Sequence, residues 1–268
     1  MTIWQADFYK SSSSSPSSPL ETVWQLLIFD PLGHLIYENS CPQSQANSDW
    51  LTQQLQQACQ VSSPEIIQVF RPQCANLFLL AGQNLQIKIE LTRHVNALKK
   101  QLELRQIPIN IDSPPPQPLP VQFLGQEWRF ARFPAVDLVD FFGDRRIPIL
   151  SLPEAFSPLK LGLASTLMIP GVVITGGKKS LAIARWLEEI NPVFIDHIPT
   201  ETGRSGGLVL ESGLNERWIF LTYEDEEVAR AANVYQATKE EGQGLHFLLI
   251  QPDDSGRTFT GFWLLKQV

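Results

Sequence analysis

A proline-rich segment in the middle of the chain constrains the fold more than any other feature of its 268 residues. Residues 108–120 read PINIDSPPPQPLP, and proline lacks the backbone N–H that helices and sheets require. Such a segment favours an extended, semi-rigid chain between folded parts. The sequence therefore predicts an N-terminal lobe over residues 1–107, a linker over residues 108–120 and a C-terminal lobe over residues 121–268.

Strands and helices alternate on both sides of this linker. The first lobe reads as three strands, a helix, a strand, a helix, a strand and a helix, which is the element order of ribonuclease-H-like folds. Within it, a helix over Gln73–Ala81 is predicted to end at Gly82, and Thr92 to cap a helix that runs to Arg105. Ser11–Pro19 cannot bury apolar area and predicts a mobile loop between two strands. The second lobe alternates in the same way, so both lobes are predicted to be α/β with mixed sheets.

Composition limits the possible partners. The formal net charge is −7, whereas nucleic-acid binders rely on Lys and Arg to meet phosphates. A broadly basic surface is therefore excluded, and any nucleic-acid contact requires a local basic patch. The cysteines, Cys41, Cys59 and Cys74, are odd in number and widely spaced, which favours reduced thiols over a disulfide framework or a zinc site. The sequence has neither a secretory signal pattern nor an apolar run of membrane length, so we expect a cytoplasmic protein without membrane insertion.

No set of residues indicates catalysis. A ribonuclease H requires carboxylates from several elements around two metal ions. Asp7 lies where one such acid is expected, but the first helix offers only Asp49 at its start, and the fourth strand ends in Phe70-Arg71 with no acid. The histidines are scattered, and His246 in an apolar strand predicts a hydrogen-bonded core side chain. The sequence therefore predicts a protein that is not an enzyme and holds no metal or cofactor.

The strongest candidate for a binding site is the segment Gly171–Ser180, GVVITGGKKS. A strand runs into Gly176-Gly177, Lys178-Lys179 follow, and a helix begins. Exposed N–H groups at a helix N-terminus bind anions, and glycines allow close approach, so this turn is a candidate phosphate cradle for an RNA backbone. Its spacing differs from the nucleotide P-loop G-x-x-x-x-G-K-[ST]. An ordinary strand-to-helix turn with solvated lysines explains the same residues.

Three arginines are further candidates for RNA contact. Arg145-Arg146 precede a strand, where they supply a second basic contact or pair with a neighbouring aspartate. Arg217 lies beside Trp218 and is placed either to stack on a base or to border a buried tryptophan.

The C-terminal strand carries apolar side chains on both faces. Trp263 and Leu265 share one face, and Phe262 and Leu264 share the other. This pattern is typical of a strand buried within a sheet. If one face were open, its aromatic rings would form a stacking platform for unpaired bases.

Several short segments, taken together, carry a family resemblance. In the first lobe they are Ile3–Tyr9, Trp24–Asp30, and Phe70-Arg71 with Gln73. In the second lobe they are Gln126–Phe130, Gly143–Arg145 with Ile147–Ile149, Pro170–Val172, Glu211–Leu214, Arg217-Trp218, Thr222-Tyr223, Gly244–Phe247 and Gly261–Leu265. The set covers nearly the whole chain and resembles the Tab/Atab family, which occurs in cyanobacteria, algae and chloroplasts.

The resemblance implies an RNA-binding protein that promotes translation of a photosystem I reaction-centre subunit through the leader of its message, with a preference for A/U-rich single-stranded RNA. In the family a C-terminal Trp-Leu-Leu tripeptide is tied to RNA binding, and it corresponds here to Trp263, Leu264 and Leu265. A start at the family's domain, with no transit peptide, is expected of a cyanobacterial member. Besides RNA, the expected partners are the ribosome or translation machinery, but not DNA. The alternative, which the acidic charge favours, is a protein-interaction or assembly factor for photosystem biogenesis with little RNA affinity of its own.

Overall fold

The chain divides into two compact units, and the division falls within the proline-rich segment. They are Met1–Asp112, here unit 1, and Ser113–Val268, here unit 2. The computed structural model describes residues 2–12, 22–60, 62–109, 111, 114–201 and 203–267. No helix in these ranges is both long enough and apolar enough to cross a bilayer.

Unit 1 is built on one mixed sheet, five-stranded in the described residues. Its elements are β1 (Ile3–Ser12), β2 (Thr22–Phe29), β3 (Leu35–Pro42), α1 (Ser48–Ala58), β4 (Ile66–Val69), α2 (Pro72–Leu85), β5 (Lys88–Leu91) and α3 (Asn96–Leu104). The strands pair in the order β3-β2-β1-β4-β5. The first three are antiparallel neighbours, whereas β1, β4 and β5 run parallel. This is the strand order and direction of a ribonuclease-H-like fold, so the prediction from element order is confirmed.

The two faces of this sheet are buried by different helices. Alternate side chains of a strand point to opposite faces, and along β1 Phe8 and Tyr9 enter separate cores. The core around Phe8 packs against α1 and α2, through residues such as Leu55 and Phe78. The core around Tyr9 packs against α3, through residues such as Leu98. The sheet is therefore covered on both sides, as the apolar content of its strands requires.

Helix α2 does not end at Gly82 as predicted. It continues to Leu85, and Gln86 reverses the chain in the left-handed conformation, with φ of 58°. Gly82 has a packing role instead, because a Cβ at this position would lie 2.4 Å from Cγ1 of Ile89. The glycine therefore allows α2 to approach β5 closely.

Two further predictions for unit 1 need adjustment. The backbone N–H of Thr92 donates to the carbonyl of Val69, so this residue extends the strand pairing, and α3 begins only at Asn96. The prediction that Thr92 caps the helix is therefore wrong. Of the predicted serine loop, the first two residues complete β1, and residues 13–19 lie outside the described residues.

The described residues of unit 2 form two sheets. Its elements are β6 (Gln117–Pro118), β7 (Glu127–Pro134), α4 (Ala135–Gly143), β8 (Ile149–Ser151), β9 (Met168–Thr175), α5 (Ser180–Ile190), β10 (Pro192–Glu201), β11 (Ser205–Ser212), β12 (Glu216–Tyr223), α6 (Glu226–Glu241), β13 (Leu245–Gln251) and β14 (Gly261–Lys266). One sheet has the order β10-β11-β12-β6, and the other, here the main sheet, has the order β7-β9-β13-β14-β8. Both mix parallel and antiparallel pairs. The predicted mixed α/β class is therefore confirmed.

Both faces of the main sheet are buried. One face packs on α5, α6 and the second sheet, through side chains such as Leu248, Leu187 and Leu210. The other face packs on α4, through an aromatic group in which Phe142 stacks on Phe262 with ring centroids 3.9 Å apart. The central strands β13 and β14 consequently have almost no polar side chains.

His246 is the main polar exception in this core, and it is fully buried. Its Nε2 accepts the backbone N–H of Ile195 at 2.8 Å, and its Nδ1 lies 2.8 Å from the carbonyl oxygen of Gly244. Burial lowers the pKa of His246 to about 3, which keeps the ring neutral. The predicted hydrogen-bonded core histidine is confirmed.

Each end of the proline-rich segment is held by an arginine of the adjoining unit. Nη2 of Arg71 donates to the carbonyl oxygen of Pro108 at 3.1 Å in unit 1. Nη1 of Arg217 donates to that of Pro114 at 3.1 Å in unit 2. Beyond Pro114, β6 pairs in parallel with β12. Parts of the predicted linker therefore contact the folded units, although most of its described prolines are exposed.

Candidate nucleic-acid interface

One edge of the main sheet gathers basic residues from three loops. The parallel strands β9 and β13 end together, because Thr175 pairs with Gln251. At the same edge β14 begins with Gly261, which faces Ile149 at the start of β8. We call this the basic edge. The basic residues in its loops are Lys178 and Lys179 after β9, Arg257 between β13 and β14, and Arg145 and Arg146 before β8.

The pairing order gives the spacing along the basic edge. β9 and β8 are three strand positions apart, and neighbouring strands lie about 4.8 Å apart, so the two strands are separated by about 14 Å. Successive phosphates of a nucleic-acid strand lie several ångströms apart, so this edge has room for more than one phosphate. The structure therefore brings the predicted residues Lys178, Lys179, Arg145 and Arg146 to one surface, although they are far apart in sequence.

The turn Gly176–Lys179, here the lysine turn, has a tight backbone that favours glycine at its first two positions. Gly177 has φ of +55°, and a Cβ on it would lie 2.7 Å from the side-chain amide of Gln126. A Cβ on Gly176 would lie 2.7 Å from Cα of Ser180. Both glycines thus allow the chain to fold tightly back into α5, as the strand–turn–helix pattern predicts.

The two lysines stand at the N-terminus of α5 and are exposed. Neither has an ion-pair partner among the described residues. A 3₁₀ turn runs directly into α5, so the N–H groups of Lys179 and Ser180 donate to the carbonyls of Gly176 and Gly177, and the helix dipole adds partial positive charge at this end. The lysine turn is therefore suited to bind an anion.

Arg145 and Arg146 differ in how they are held. The guanidinium of Arg145 lies over the ring of Phe141, 4.1 Å from its centroid, and 5.2 Å from that of Phe259. Arg146 is exposed. In the part of the chain that the structure describes, neither forms an ion pair with Asp140 or Asp144. The aromatic contacts hold the guanidinium of Arg145 in place, and the side chain remains half-exposed.

A pocket of about 360 Å³ opens beside the lysine turn. Gln126 joins the two, because its N–H donates to the carbonyl of Thr175 at 2.8 Å and its side chain lies over Gly177. The half-buried ring of Trp128 forms part of the wall, along with β6 and β12. We call this the Trp128 pocket. Its residues come from both sheets of unit 2, so no local sequence pattern indicates it, and sequence reasoning missed Gln126 and Trp128 as site residues.

Arg217 lies away from the basic edge. Its Nε donates to Oε1 of buried Glu211 at 2.6 Å. The hairpin that carries this pair is joined to the C-terminus of α5, where the N–H of Gly213 donates to the carbonyl of Asn191. An 11-residue helix spans about 16 Å, so α5 separates Arg217 from the lysine turn. This arginine holds the hairpin and the proline-rich segment.

The predicted Trp-Leu-Leu tripeptide is part of the core. Trp263, Leu264 and Leu265 are 4%, 1% and 2% exposed. Trp263 and Leu265 belong to the core between the sheets, and Leu264 to the core on the α4 side. A Cβ on Gly261 would lie 2.6 Å from the ring of Trp263, so this ring packs directly on the glycine. The core interpretation of this strand is confirmed.

The acid that corresponds to a nuclease carboxylate is also internal. Asp7 is fully buried, and Nε of Arg71 lies 2.8 and 2.9 Å from its two carboxylate oxygens. Burial raises the pKa of Asp7 to about 6, against the opposing effect of Arg71. Within the described residues, no three His, Cys, Asp or Glu side chains come together in a way that could hold a metal ion.

Comparison with known protein families places the chain clearly. The family described as RNA-binding protein Tab2/Atab2 N terminal matches residues 3–105. The family described as RNA-binding protein Tab2/Atab2, C-terminal domain matches residues 106–266. Two similar proteins are each called Protein TAB2 homolog, chloroplastic. The Zea mays protein is 26% identical and the match covers 98% of this chain and 70% of that protein; for the Arabidopsis thaliana protein the values are 26%, 98% and 74%.

Among solved structures, similarity is found to the catalytic domain of the Mos1 mariner transposase. The crystal structure of that domain gives a TM-score of 0.29 and 17% identity, and the match covers 41% of this chain and 63% of that one. A structure of the same domain with raltegravir and manganese gives a TM-score of 0.27 and 16% identity, with the same coverage. Likeness at this level adds nothing to the functional argument. The two family matches span almost the entire sequence, and the chain therefore belongs to the Tab2/Atab2 family of RNA-binding proteins.

Proposed function

We propose that this protein binds single-stranded RNA across the basic edge of unit 2 and acts as a translation activator for a photosystem reaction-centre subunit. One observation carries the proposal. Two exposed lysines, which form no ion pair with any described residue, directly precede α5 and lie beside a pocket with an aromatic wall. In this proposal the protein binds the A/U-rich leader of a messenger RNA in the cytoplasm of a photosynthetic bacterium. The ribosome is its second partner there.

The lysine turn supplies the phosphate contacts in this arrangement. The two ammonium groups and the positive end of the α5 dipole stabilise an anion by charge and by charge-assisted hydrogen bonds. Arg146 and the half-exposed Arg145 extend the positive charge along the edge. The same loops also carry Asp144, Asp253 and Asp254, of which Asp254 pairs with Arg129. RNA affinity depends on the local potential that these groups leave at the lysine turn, and not on the net charge of −7.

The Trp128 pocket supplies the base contact. Its volume of about 360 Å³ falls within the range of small-ligand sites. Bases of single-stranded RNA stack on aromatic rings, and each such contact contributes about 1–3 kcal/mol. The side-chain amide of Gln126 has both donors and an acceptor, which suits hydrogen bonding to a base edge.

The proposal excludes catalysis. In unit 1 the position of a nuclease carboxylate is taken by Asp7, whose oxygens are occupied by Arg71. A guanidinium at that place opposes a divalent cation by charge. RNA bound by this protein would therefore be retained and not cleaved.

The Trp-Leu-Leu tripeptide contributes indirectly in this proposal. Trp263 packs on Gly261 inside the main sheet, next to the strand ends that form the basic edge. Its loss would disturb the sheet that positions the lysine turn and Arg145. The link between the tripeptide and RNA binding is thus explained by folding.

The test is a titration of labelled A/U-rich single-stranded RNA by fluorescence anisotropy at about 50 and 200 mM salt. The variant Lys178→Glu/Lys179→Glu is compared with Lys88→Glu/Arg204→Glu, which changes the net charge equally but leaves the basic edge intact. We expect salt-sensitive binding by the wild type and the control, and weaker binding with a shallower salt dependence for the lysine-turn variant. Equal binding by the two variants would refute this placement.

The acidic charge favours a second candidate, a protein-interaction or assembly factor for photosystem biogenesis. In this case the wild type would bind no RNA even at low salt. Affinity purification with and without ribonuclease separates the two functions: partners that survive ribonuclease support assembly, whereas partners that are all lost support RNA binding.

A further inference from the structure

Strand β7 is the outermost strand on one side of the main sheet, and among the described residues no strand pairs with its outer side. It pairs with β9 along its full length, from Glu127 to Pro134. The outermost strand on the other side, β8, has only three residues. The outer side of an unpaired strand presents backbone donors and acceptors to which a further strand can add. We call the outer side of β7 the β7 flank.

Three residues turn their backbone groups toward the β7 flank. In β9 the N–H of Gly176 donates to a carbonyl of β13, whereas the carbonyl of Thr175 accepts an N–H from the β7 side. Successive residues of a strand turn their backbone groups to opposite sides, so Thr175 and every second residue before it face β7. The β7 residues opposite that set bond to β9. The residues between them, Trp128, Phe130 and Arg132, each present an N–H and a carbonyl to the flank.

The outermost strand of the second sheet shows how such groups are satisfied within the protein. In β10 the N–H of Ile195 donates to His246, and its carbonyl accepts Nζ of buried Lys239 at 2.9 Å. In the part of the chain that the structure describes, no side chain bonds to the outward backbone groups of β7 in this way. The β7 flank is thus open to a strand from another molecule.

A groove of about 300 Å³ borders β7 on the face of the main sheet that α6 covers. Its walls include the half-buried ring of Phe130, buried Pro170, and Ala231 and Val234 of α6. Val234 is 48% exposed. In an added strand, the residue opposite Phe130 points to the same face as Phe130. An apolar side chain there would cover Phe130 and Val234 and remove their apolar surface from water.

The charge beside the groove is positive. Arg132 lines it from β7, and Arg230 lies one helical turn before Val234 on α6. Both arginines are exposed, and neither forms an ion pair with a described residue. The acids Glu226 and Glu227 lie one turn earlier in α6 and do not pair with Arg230. Two uncompensated cations beside an open strand attract a carboxylate-bearing partner.

We propose that β7 binds an extended, acidic segment of a partner protein by strand addition. The outward backbone groups bond to the main chain of the segment, an apolar side chain covers Phe130, and carboxylates pair with Arg132 and Arg230. A peptide fits better than RNA, because the flank alternates donors with acceptors whereas phosphates only accept. A second copy of β7 fits poorly, because it would bring the arginines of both copies together. The inference stands apart from RNA binding at the basic edge, since the lysine turn takes no part in it.

The test is fluorescence anisotropy of the full chain with a labelled peptide of sequence Glu-Thr-Glu-Thr-Val-Thr-Val. Antiparallel to β7, this peptide places its second Glu opposite Arg132 and its Val residues opposite Phe130 and Trp128. We expect saturable binding, and replacing both Glu by Lys should weaken it by at least about tenfold. N-methylation of the second Glu and both Val removes the N–H groups that face β7 and should abolish binding, whereas N-methylation of the Thr residues should not.

Charge reversal on the protein gives the matched comparison, with circular dichroism as the check that each variant is folded. Arg132→Glu/Arg230→Glu should weaken peptide binding by at least about tenfold. Lys88→Glu/Arg204→Glu changes the net charge equally outside the β7 flank and should bind as the wild type does. Lys178→Glu/Lys179→Glu should also bind the peptide normally, so a failure here is distinguishable from a failure of the basic edge.

Three results would overturn the proposal. The first is that the wild type does not bind the acidic peptide, or that Arg132→Glu/Arg230→Glu and its control bind it equally. The second is that Arg132→Glu/Arg230→Glu loses RNA affinity while the peptide binds neither protein, which assigns the arginines to RNA. The third is a dimer in sedimentation equilibrium that this variant abolishes, which assigns β7 to a second copy of the chain.

Discussion

Replacing Trp263 with alanine distinguishes a folding role of the Trp-Leu-Leu tripeptide from direct contact with RNA. The side chain is 4% exposed and lies between the main sheet and the second sheet. Its ring rests on Gly261, which has no side chain to fill the space left behind. Core substitutions of this kind cost about 3–5 kcal/mol, and the full cost is expected here because the cavity cannot collapse.

The measurement is urea unfolding followed by circular dichroism, combined with RNA titration below the unfolding transition. With a denaturant dependence of about 2 kcal/mol per M, the transition of unit 2 should fall by roughly 2 M urea. Leu248→Ala is the matched control, since Leu248 pairs directly with Trp263 and occupies the same core. Both variants should be less stable than the wild type. Their loss of RNA binding should match the fraction of protein that is unfolded, so the folded fraction should bind RNA normally. A Trp263→Ala protein with an unchanged midpoint and no RNA binding would refute the folding explanation.

Three further substitutions test other parts of the structure. The pKa of Asp7 is raised to about 6 in the folded state, so between about pH 4 and 6 the folded protein keeps a proton that the unfolded chain has lost. The free energy of unfolding should therefore fall by on the order of 2–3 kcal/mol as the pH rises from about 4 to 6. In urea unfolding at several pH values, Asp7→Asn should not show this fall. Gly177→Ala forces a strained φ and displaces the side chain of Gln126, so it should weaken RNA binding in anisotropy titrations while the protein stays folded. Arg217→Ala removes the guanidinium that donates to the buried carboxylate of Glu211, so thermal unfolding should show a loss of about 1.5–3 kcal/mol, with RNA affinity unchanged at temperatures where the variant is folded.

Residue patterns within single strands and helices were sufficient to predict much of the fold. The alternation of apolar side chains around Trp263 predicts a strand buried on both faces, and the structure places it there. The strand–glycine–lysine–helix order likewise predicts the lysine turn. In both cases the relevant physics, side-chain alternation and backbone freedom, acts over a few neighbouring residues.

The candidate site depended on contacts that sequence order does not reveal. Arg145 and Lys178 share an edge only because β8, β14, β13 and β9 are neighbours in that order. The Trp128 pocket needs two sheets to come together. By contrast, the pairing of Arg217 with Glu211 could have been predicted from nearby residues. A tight turn at Gly213 predicts a hairpin, and the two residues face each other across that hairpin.

The arginine contacts at the two ends of the proline-rich segment bear on how the protein can be divided into separately folding fragments. A cut between residues 105 and 106, where the two family matches meet, removes from unit 1 the Pro108 carbonyl that Arg71 holds, and with it the apolar Ile107 and Ile109. A cut after residue 111 keeps these groups with unit 1 and leaves Pro114 with Arg217 in unit 2. Expression of each half should therefore give soluble protein with the second boundary, and the first should yield an N-terminal fragment with an exposed apolar surface that tends to aggregate.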